Sequence, residues 1–285
     1  MTAPVLRPSR PEDMPALQEI YQEAFGDPED YTRMYFQSNL FTQGGALVLE
    51  ADGAVQSAFH RLAGPSLEGR PFTYLYALGT RAAARGKGYG AAVVSACFRQ
   101  GLEQGAPGCL CPASPSLHVW YREKAGAEPL FSVREDYLSA ASVPSPPDGW
   151  RCTPLEGRSY ARLRELLLSG KPHVSFPDRF WDWQELSCRY SGGALALLDC
   201  GALVGAAIVQ REDKETLSVK ELLLPEADMG AAAKLLAHYF GAKRAYIRSP
   251  LFWRGMGGKV RPFVVGRLPE GEAVPPEAWW GPVFD

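Results

Sequence analysis

The sequence contains no long apolar run, no CxxC pair, no block of like charges and only four histidines. Each absence removes a class of function. The longest apolar stretches, such as Gly193 to Leu198 and Ala202 to Val209, are strand length and are broken by glycine or charge. None approaches the length of a bilayer span, so no membrane partner is expected. The formal net charge of -2 supplies no field that would gather nucleic acid. The start, MTAPVLRPSRPEDM, lacks a basic segment followed by an apolar core, and a cytoplasmic location is expected. The six cysteines (97, 109, 111, 152, 188, 200) have no companion histidines at zinc spacing, so no metal is expected and the thiols read as reduced core residues.

What is present is the make-up of a globular chain long enough for two ordinary domains. Its clearest punctuation is Ser142 to Gly149, SVPSPPDG, where three prolines and a glycine stop both helix and strand. The reading is therefore a first domain over 1–141, a proline-rich linker over 142–151 and a second domain over 152–285. In the first, acids at Glu12 and Asp13 open a helix running through Leu17, Ile20 and Tyr21 to Phe25, and a short second helix carries Tyr31, Tyr35 and Phe36. Strands at Ala46 to Glu50 and Val55 to Leu62 flank an Asp52-Gly53 hairpin signal. A third strand covers Phe72 to Gly79, and a fourth Cys109 to Ala113. Alternation then continues through a helix, a turn and a strand in LHVWYREKAGAEPLF. The order predicts an α/β (α+β) fold, a mixed and mostly antiparallel sheet with helices on both faces. A weaker copy of the order, from the helix at Tyr160 to Leu168 onward, predicts an internal duplication.

The stretch from Thr73 to Leu102 organises the first domain: an apolar strand, the basic glycine-rich Arg85-Gly86-Lys87-Gly88-Tyr89-Gly90, then a helix-period segment. Glycines let several N–H groups point at one place, and the following helix adds the positive end of its dipole. With Arg85 and Lys87 alongside, the expected ligand is a pyrophosphate. At the equivalent turn of the second half stands Leu224-Pro225-Glu226-Ala227-Asp228-Met229-Gly230, whose acids should repel one. A single anion site per chain follows.

The sequence RGKGYG, placed between strand and helix, resembles the Arg/Gln-x-x-Gly-x-Gly/Ala motif of the GCN5-related N-acetyltransferase (GNAT) superfamily. A dinucleotide GxGxxG and a P-loop GK[ST] fit less well. The resemblance implies the GNAT fold, a catalytic first domain, a degenerate GNAT-like second domain and acetyl-CoA as co-substrate. It also implies that Leu78 and Thr80, with Gly79 between, offer backbone groups to the pantetheine arm. The N–H groups of Gly86, Lys87, Gly88, Tyr89 and Gly90 would hold the pyrophosphate, beside Arg85. The Leu78 N–H would polarise the thioester carbonyl, and Tyr121, counted from Leu117, would protonate the departing thiolate. Gly126 comes one residue later than in the family, and an alignment anchored on it selects Arg122 instead.

A two-domain, Eis-like branch supplies a C-terminal carboxylate near the amine, which here would be that of Asp285. The family's strand glutamate is absent, so the general base stays open between His60, Glu50 and the chain end. Glu19, Glu23, Asp27, Glu29 and Asp30 fall where the family builds its acceptor cleft, which favours a cationic small-molecule or peptide amine. The function implied is acetyl transfer to a primary amine. The alternative is a non-catalytic acyl-CoA-binding or sensor protein. The second domain is expected to shape the acceptor site or an oligomer contact, so a homo-oligomer stays open.

Overall fold

The computed structural model describes all residues except 1, 2, 43, 144, 225–228, 254 and 285. The chain forms two compact units. The first comprises residues up to Leu130 together with Val264–Ala273, and the second comprises Phe131–Phe263 and Val274–Phe284. The proline-rich stretch at 142–149 lies inside the second unit; the division falls at Leu130, and a later segment returns to the first unit.

In the first unit the strands are β1 (Val5–Pro8), β2 (Ala46–Ala51), β3 (Ala54–Leu67), β4 (Arg70–Thr80) and β5 (Gly108–Leu110), in that spatial order. The first four pair antiparallel. β4 and β5 run parallel and share only the rungs Thr73↔Gly108 and Tyr74↔Cys109. On its other edge β5 takes Val265 and Gly266, the end of a strand at Lys259–Gly266. Helix α1 (Met14–Phe25) turns Leu17, Ile20 and Tyr21 to the sheet and ends at Gly26, whose φ of +67° suits a residue without Cβ. Its entry is fixed by Asp13, which accepts from the Arg10 N–H at 2.7 Å and pairs with Arg7. Helix α2 (Glu29–Gln37) buries Tyr35 and Phe36.

Helix α3 (Tyr89–Glu103) covers the opposite face, where Val93, Val94, Cys97 and Phe98 meet Leu47, Leu49, Phe59 and Leu75. Helix α4 (Pro115–Ala125) adds Tyr121 and Ala125 to that core. Side chains alternate across a strand, so Leu75 faces α3 while Tyr74 and Tyr76 face α1.

The second unit repeats this order. Its strands β7 (Arg151–Leu155), β9 (Ala194–Cys200), β10 (Leu203–Arg211), β11 (Thr216–Leu223) and β12 (Arg244–Ser249) are neighbours in sequence of space, with β11 and β12 parallel around α7 (Met229–Tyr239). Helices α5 (Gly157–Leu167) and α6 (Asp178–Tyr190), with the two-residue strand β8 (Val174–Ser175) between them, occupy the chain positions of α1 and α2. The strand β6 (Glu128–Ser139) pairs antiparallel with β12. Both units thus place two helices after the first strand and one helix between the parallel pair. The sheet is mixed and mostly antiparallel, as the sequence predicts. The turn at 225–228, with its acids, lies outside the described residues, as does the chain end at Asp285.

Candidate functional site

Midway along β4 the pairing register with β3 shifts: Ala58 faces Gly79, yet His60 faces Tyr76. Two residues of β4, Ala77 and Leu78, therefore stand opposite Phe59 alone, which is a β-bulge. Ala77 sits at φ +57°, a left-handed conformation that is unfavourable for a residue bearing Cβ. Regular alternation would point Leu78 toward α1. The bulge instead turns it onto the α3 core, against which Tyr89, Ala92 and Trp120 also pack. Gly79 returns to the α1 face, where a Cβ would collide with Ile20 and lie 3.2 Å from its carbonyl oxygen. Its carbonyl accepts from Ser57 Oγ at 2.8 Å, and Ser57 also meets Thr80 Oγ1 at 2.9 Å. This bulge left no mark in the sequence.

The glycine loop follows after Arg81 and a single 3-10 turn at Ala82–Ala84. Gly86 and Gly88 both have φ of +80°, so each has a conformational need for glycine, and Gly88 is the residue that caps α3. Ala92 donates to the Gly88 carbonyl at 3.0 Å. The N–H groups before it have no carbonyl one turn back, which leaves Tyr89, Gly90 and Ala91 as donors at the positive helix end. A Cβ on Gly90 would meet Thr80 Oγ1 at 3.3 Å and Trp120 at 4.0 Å, so the loop passes close to both. Gly86, Lys87 and Gly88 are exposed, as is Arg85.

The loop is tied to α1. Arg85 Nε donates to Thr80 O at 3.2 Å and Nη2 to Glu23 O at 3.3 Å, while Glu23 Oε2 accepts the Ala82 N–H at 2.8 Å. Arg81 reaches Glu19 at 2.7 Å and Val55 O at 2.8 Å. Glu19 and Glu23, read from the sequence as acceptor-cleft acids, also tie α1 to Arg81 and Ala82 just before the loop, and both line a surface cavity with Gln18, Gln22 and Glu29.

Comparison with solved structures identifies this arrangement. The GCN5-related N-acetyltransferase from Anabaena variabilis matches over 93% of this chain and 72% of its own, with a TM-score of 0.71 and 15% identity. A GCN5-related N-acetyltransferase from Kribbella flavida matches over 93% and 71%, with a TM-score of 0.65 and 16% identity. Eis1 from Mycobacterium abscessus matches over 93% and 73%, with a TM-score of 0.62 and 13% identity. The chain has the GNAT fold. No protein-family model and no curated protein matches the sequence.

Within this GNAT fold, Tyr121 lies on α4, which begins at Ser114, whose Oγ accepts the Leu117 N–H at 3.4 Å, and ends at Gly126 with φ +64°. Tyr121 is 6% exposed and joins the core that Leu78, Tyr89 and Trp120 flank. Arg122, the residue selected by anchoring on Gly126, is exposed, and its carbonyl accepts the Gly126 N–H at 3.0 Å. Burial, and then the Cys111 thiol, hold the Tyr121 phenol above its ordinary value, so it is a protonated donor at neutral pH. Leu78, Gly79, Thr80, the Arg85–Gly90 loop and Tyr121 are thus brought to one region of the first unit.

The base candidates fare differently. Glu50 is bound by Arg7 Nε at 2.8 Å on the β1–β2 edge. His60 is 2% exposed, its Nδ1 lies 2.7 Å from the Tyr35 hydroxyl, and the two rings stack with planes 2° apart. Desolvation lowers its pKa to about 3, so it stays neutral. Asp285 lies outside the described residues. Among the described residues no cluster of three or more His, Cys, Asp or Glu could hold a metal, and no helix is long and apolar enough to cross a membrane.

Proposed function

We propose that this protein is an acyl-CoA-dependent N-acetyltransferase that moves an acetyl group from acetyl-CoA to a primary amine of a small molecule or peptide. The observation that carries the reading is the bulged β4 leading, through one short turn at Ala82–Ala84, into the Arg85–Gly90 loop and the open N-terminus of α3. A bulged strand parting from its parallel neighbour leaves backbone groups free for an extended pantetheine arm. The helix end and glycine loop supply converging donors for a pyrophosphate. The catalytic unit in this reading is the first one, and the second is a degenerate GNAT-like domain.

In the proposed reaction the Leu78 N–H donates to the thioester oxygen as charge develops on it. The amine nitrogen attacks the acyl carbon, a tetrahedral intermediate forms and the C–S bond breaks. Tyr121 gives its phenolic proton to the leaving thiolate and is reprotonated from solvent. Free CoA thiol and the acetylated amine are the products.

The test is thiol release from acetyl-CoA with a panel of amines: spermidine, an aminoglycoside, free amino acids and a peptide N-terminus. Release with any of them supports transfer. One observation favours a second reading, a non-catalytic acyl-CoA-binding or sensor protein: no carboxylate stands on β4 between Arg70 and Thr80. That reading predicts that acetyl-CoA raises the melting temperature while no panel amine elicits thiol.

A further inference from the structure

An amine that attacks a thioester must shed a proton, and β4 has no carboxylate to take it. His60 is enclosed by Tyr21, Tyr35, Phe36 and Phe41 and held in the neutral state, and Glu50 is committed to Arg7. A chain of hydroxyls on the α1 face of β4 leads elsewhere. Tyr76 immediately precedes the Ala77 bulge and stands two residues before Leu78. It is partly exposed, and its hydroxyl lies 3.1 Å from that of Tyr21 on α1. The Asp27 carboxylate, in the turn between α1 and α2, lies beside the Tyr21 hydroxyl, which acts to lower its pKa. Asp27 is fixed by its own backbone, because Gln22 Nε2 donates to the Asp27 carbonyl at 2.6 Å. The carboxylate is half-buried, and desolvation raises its pKa against the opposing effect of the Tyr21 hydroxyl, which makes it a better proton acceptor than a surface aspartate.

We infer that Tyr76, Tyr21 and Asp27 form a proton path that carries the acceptor amine's proton to the Asp27 carboxylate; the inference rests on the acyl-transfer reading. The balance is simple. As the nitrogen bonds to the acyl carbon, its proton passes to Tyr76 Oη, the Tyr76 proton passes to Tyr21 Oη, and the Tyr21 proton passes to Asp27. Both phenols end neutral, the ammonium charge is removed and Asp27 becomes a carboxylic acid, which returns its proton to solvent after product leaves. Burial keeps the Tyr21 phenol protonated, as a relay member must be. Tyr76 is the catalytic residue, since it meets the amine; Tyr21 and Asp27 are positioning residues that act through it. Of the other acids nearby, Glu19 pairs with Arg81, Glu23 accepts the Ala82 N–H and Asp30 Oδ1 accepts the Tyr31 N–H, while Glu29 is exposed at the surface.

The experiment compares Tyr76→Phe, Tyr21→Phe and Asp27→Asn with the wild type. Each keeps the shape of the residue it replaces. Two acceptors are used: a panel amine RCH2NH2 that is turned over, and its aminooxy isostere RONH2, which is weakly basic and arrives neutral. The expected result is a fall in kcat of about 10-fold to 100-fold with the basic amine. With the isostere the fall shrinks to within about threefold, and CoA affinity is unchanged. An equal loss with both acceptors assigns these residues to packing and overturns the path. Wild-type rates in all three variants overturn it too, while leaving acetyl transfer standing. A wild-type protein that releases no thiol with any panel amine overturns the acyl-transfer reading and the path with it.

Discussion

At the scale of single residues, two buried aromatic neighbourhoods, both electrically neutral, lie on opposite faces of the sheet. Tyr121 is a phenol kept protonated by burial, and Tyr121→Phe is expected to lower kcat by about 10² or more while CoA affinity, read by titration, is retained. On the α1 face His60 is a neutral imidazole whose folded pKa is depressed to about 3 from 6.5. Between those values the unfolded chain binds a proton that the folded chain refuses, so stability falls as pH falls through this window. The slope should approach about 1.4 kcal/mol per pH unit in the middle of the window. His60→Gln should flatten this part of the profile in denaturant titrations at several pH values. Glu19 and Glu23 show the limit of reading residues along a chain: they hold Arg81 and Ala82, 62 and 59 residues away, and nothing local to α1 announces it.

At the scale of elements, the loop and helix that open α3 are legible because their physics is local. Glycine alone tolerates φ of +80° at two positions, and the run of Arg85 and Lys87 among glycines stands out before any tertiary contact exists. Helix α4 is equally local, with Ser114 at its start, Pro115 at its first position and Gly126 at its end. Ser114→Ala should cost about 1 kcal/mol in chemical denaturation and, because α4 carries Tyr121, lower turnover more than it lowers CoA binding. The β4 bulge is the contrary case. Alanine at φ +57° carries no sequence signature, and one extra residue in a strand is decided by how β3 and β4 register against each other. β11 carries a counterpart, since Ile208 faces Glu221 while Val209 faces Val219, which leaves Lys220 as the extra residue.

At the scale of the whole molecule, the two units put the same architecture to different ends. Where the first unit has an open hydroxyl chain between its first helix and the bulged strand, the second has a closed ionic core. Glu221 on β11 accepts from Arg164 Nε at 3.0 Å, from Tyr160 at 2.8 Å and from Trp279 Nε1 at 2.5 Å. Arg164 also donates to Val174 O at 2.8 Å and lies against the rings of Phe176 and Trp181. Trp279, Trp280 and Val283 of the C-terminal tail are fully buried there, and Trp279 pairs with the backbone at 172–174. Removing one partner of a buried pair strands the other charge, so Glu221→Gln should destabilise the second unit by about 3 kcal/mol or more, seen as a lowered melting temperature. Deleting residues 278–285 should do so as well, by opening the pocket that the two tryptophans fill.

The sequence by itself determined the helices, most of the strands, the mixed sheet, the duplicated order and the glycine-rich basic loop, because hydrophobic period, capping residues and glycine conformations act over a few neighbouring residues; the strands Arg151–Leu155 and Lys259–Gly266 carried no such local signal. Only the tertiary structure decided that β4 bulges at Ala77, that Glu19 and Glu23 tie α1 to Arg81 and Ala82, that Tyr76 meets Tyr21 and that the tail closes over Glu221. Those contacts join residues 55 to 62 positions apart, and which partner each finds is set by the register and packing of the whole unit rather than by any local preference.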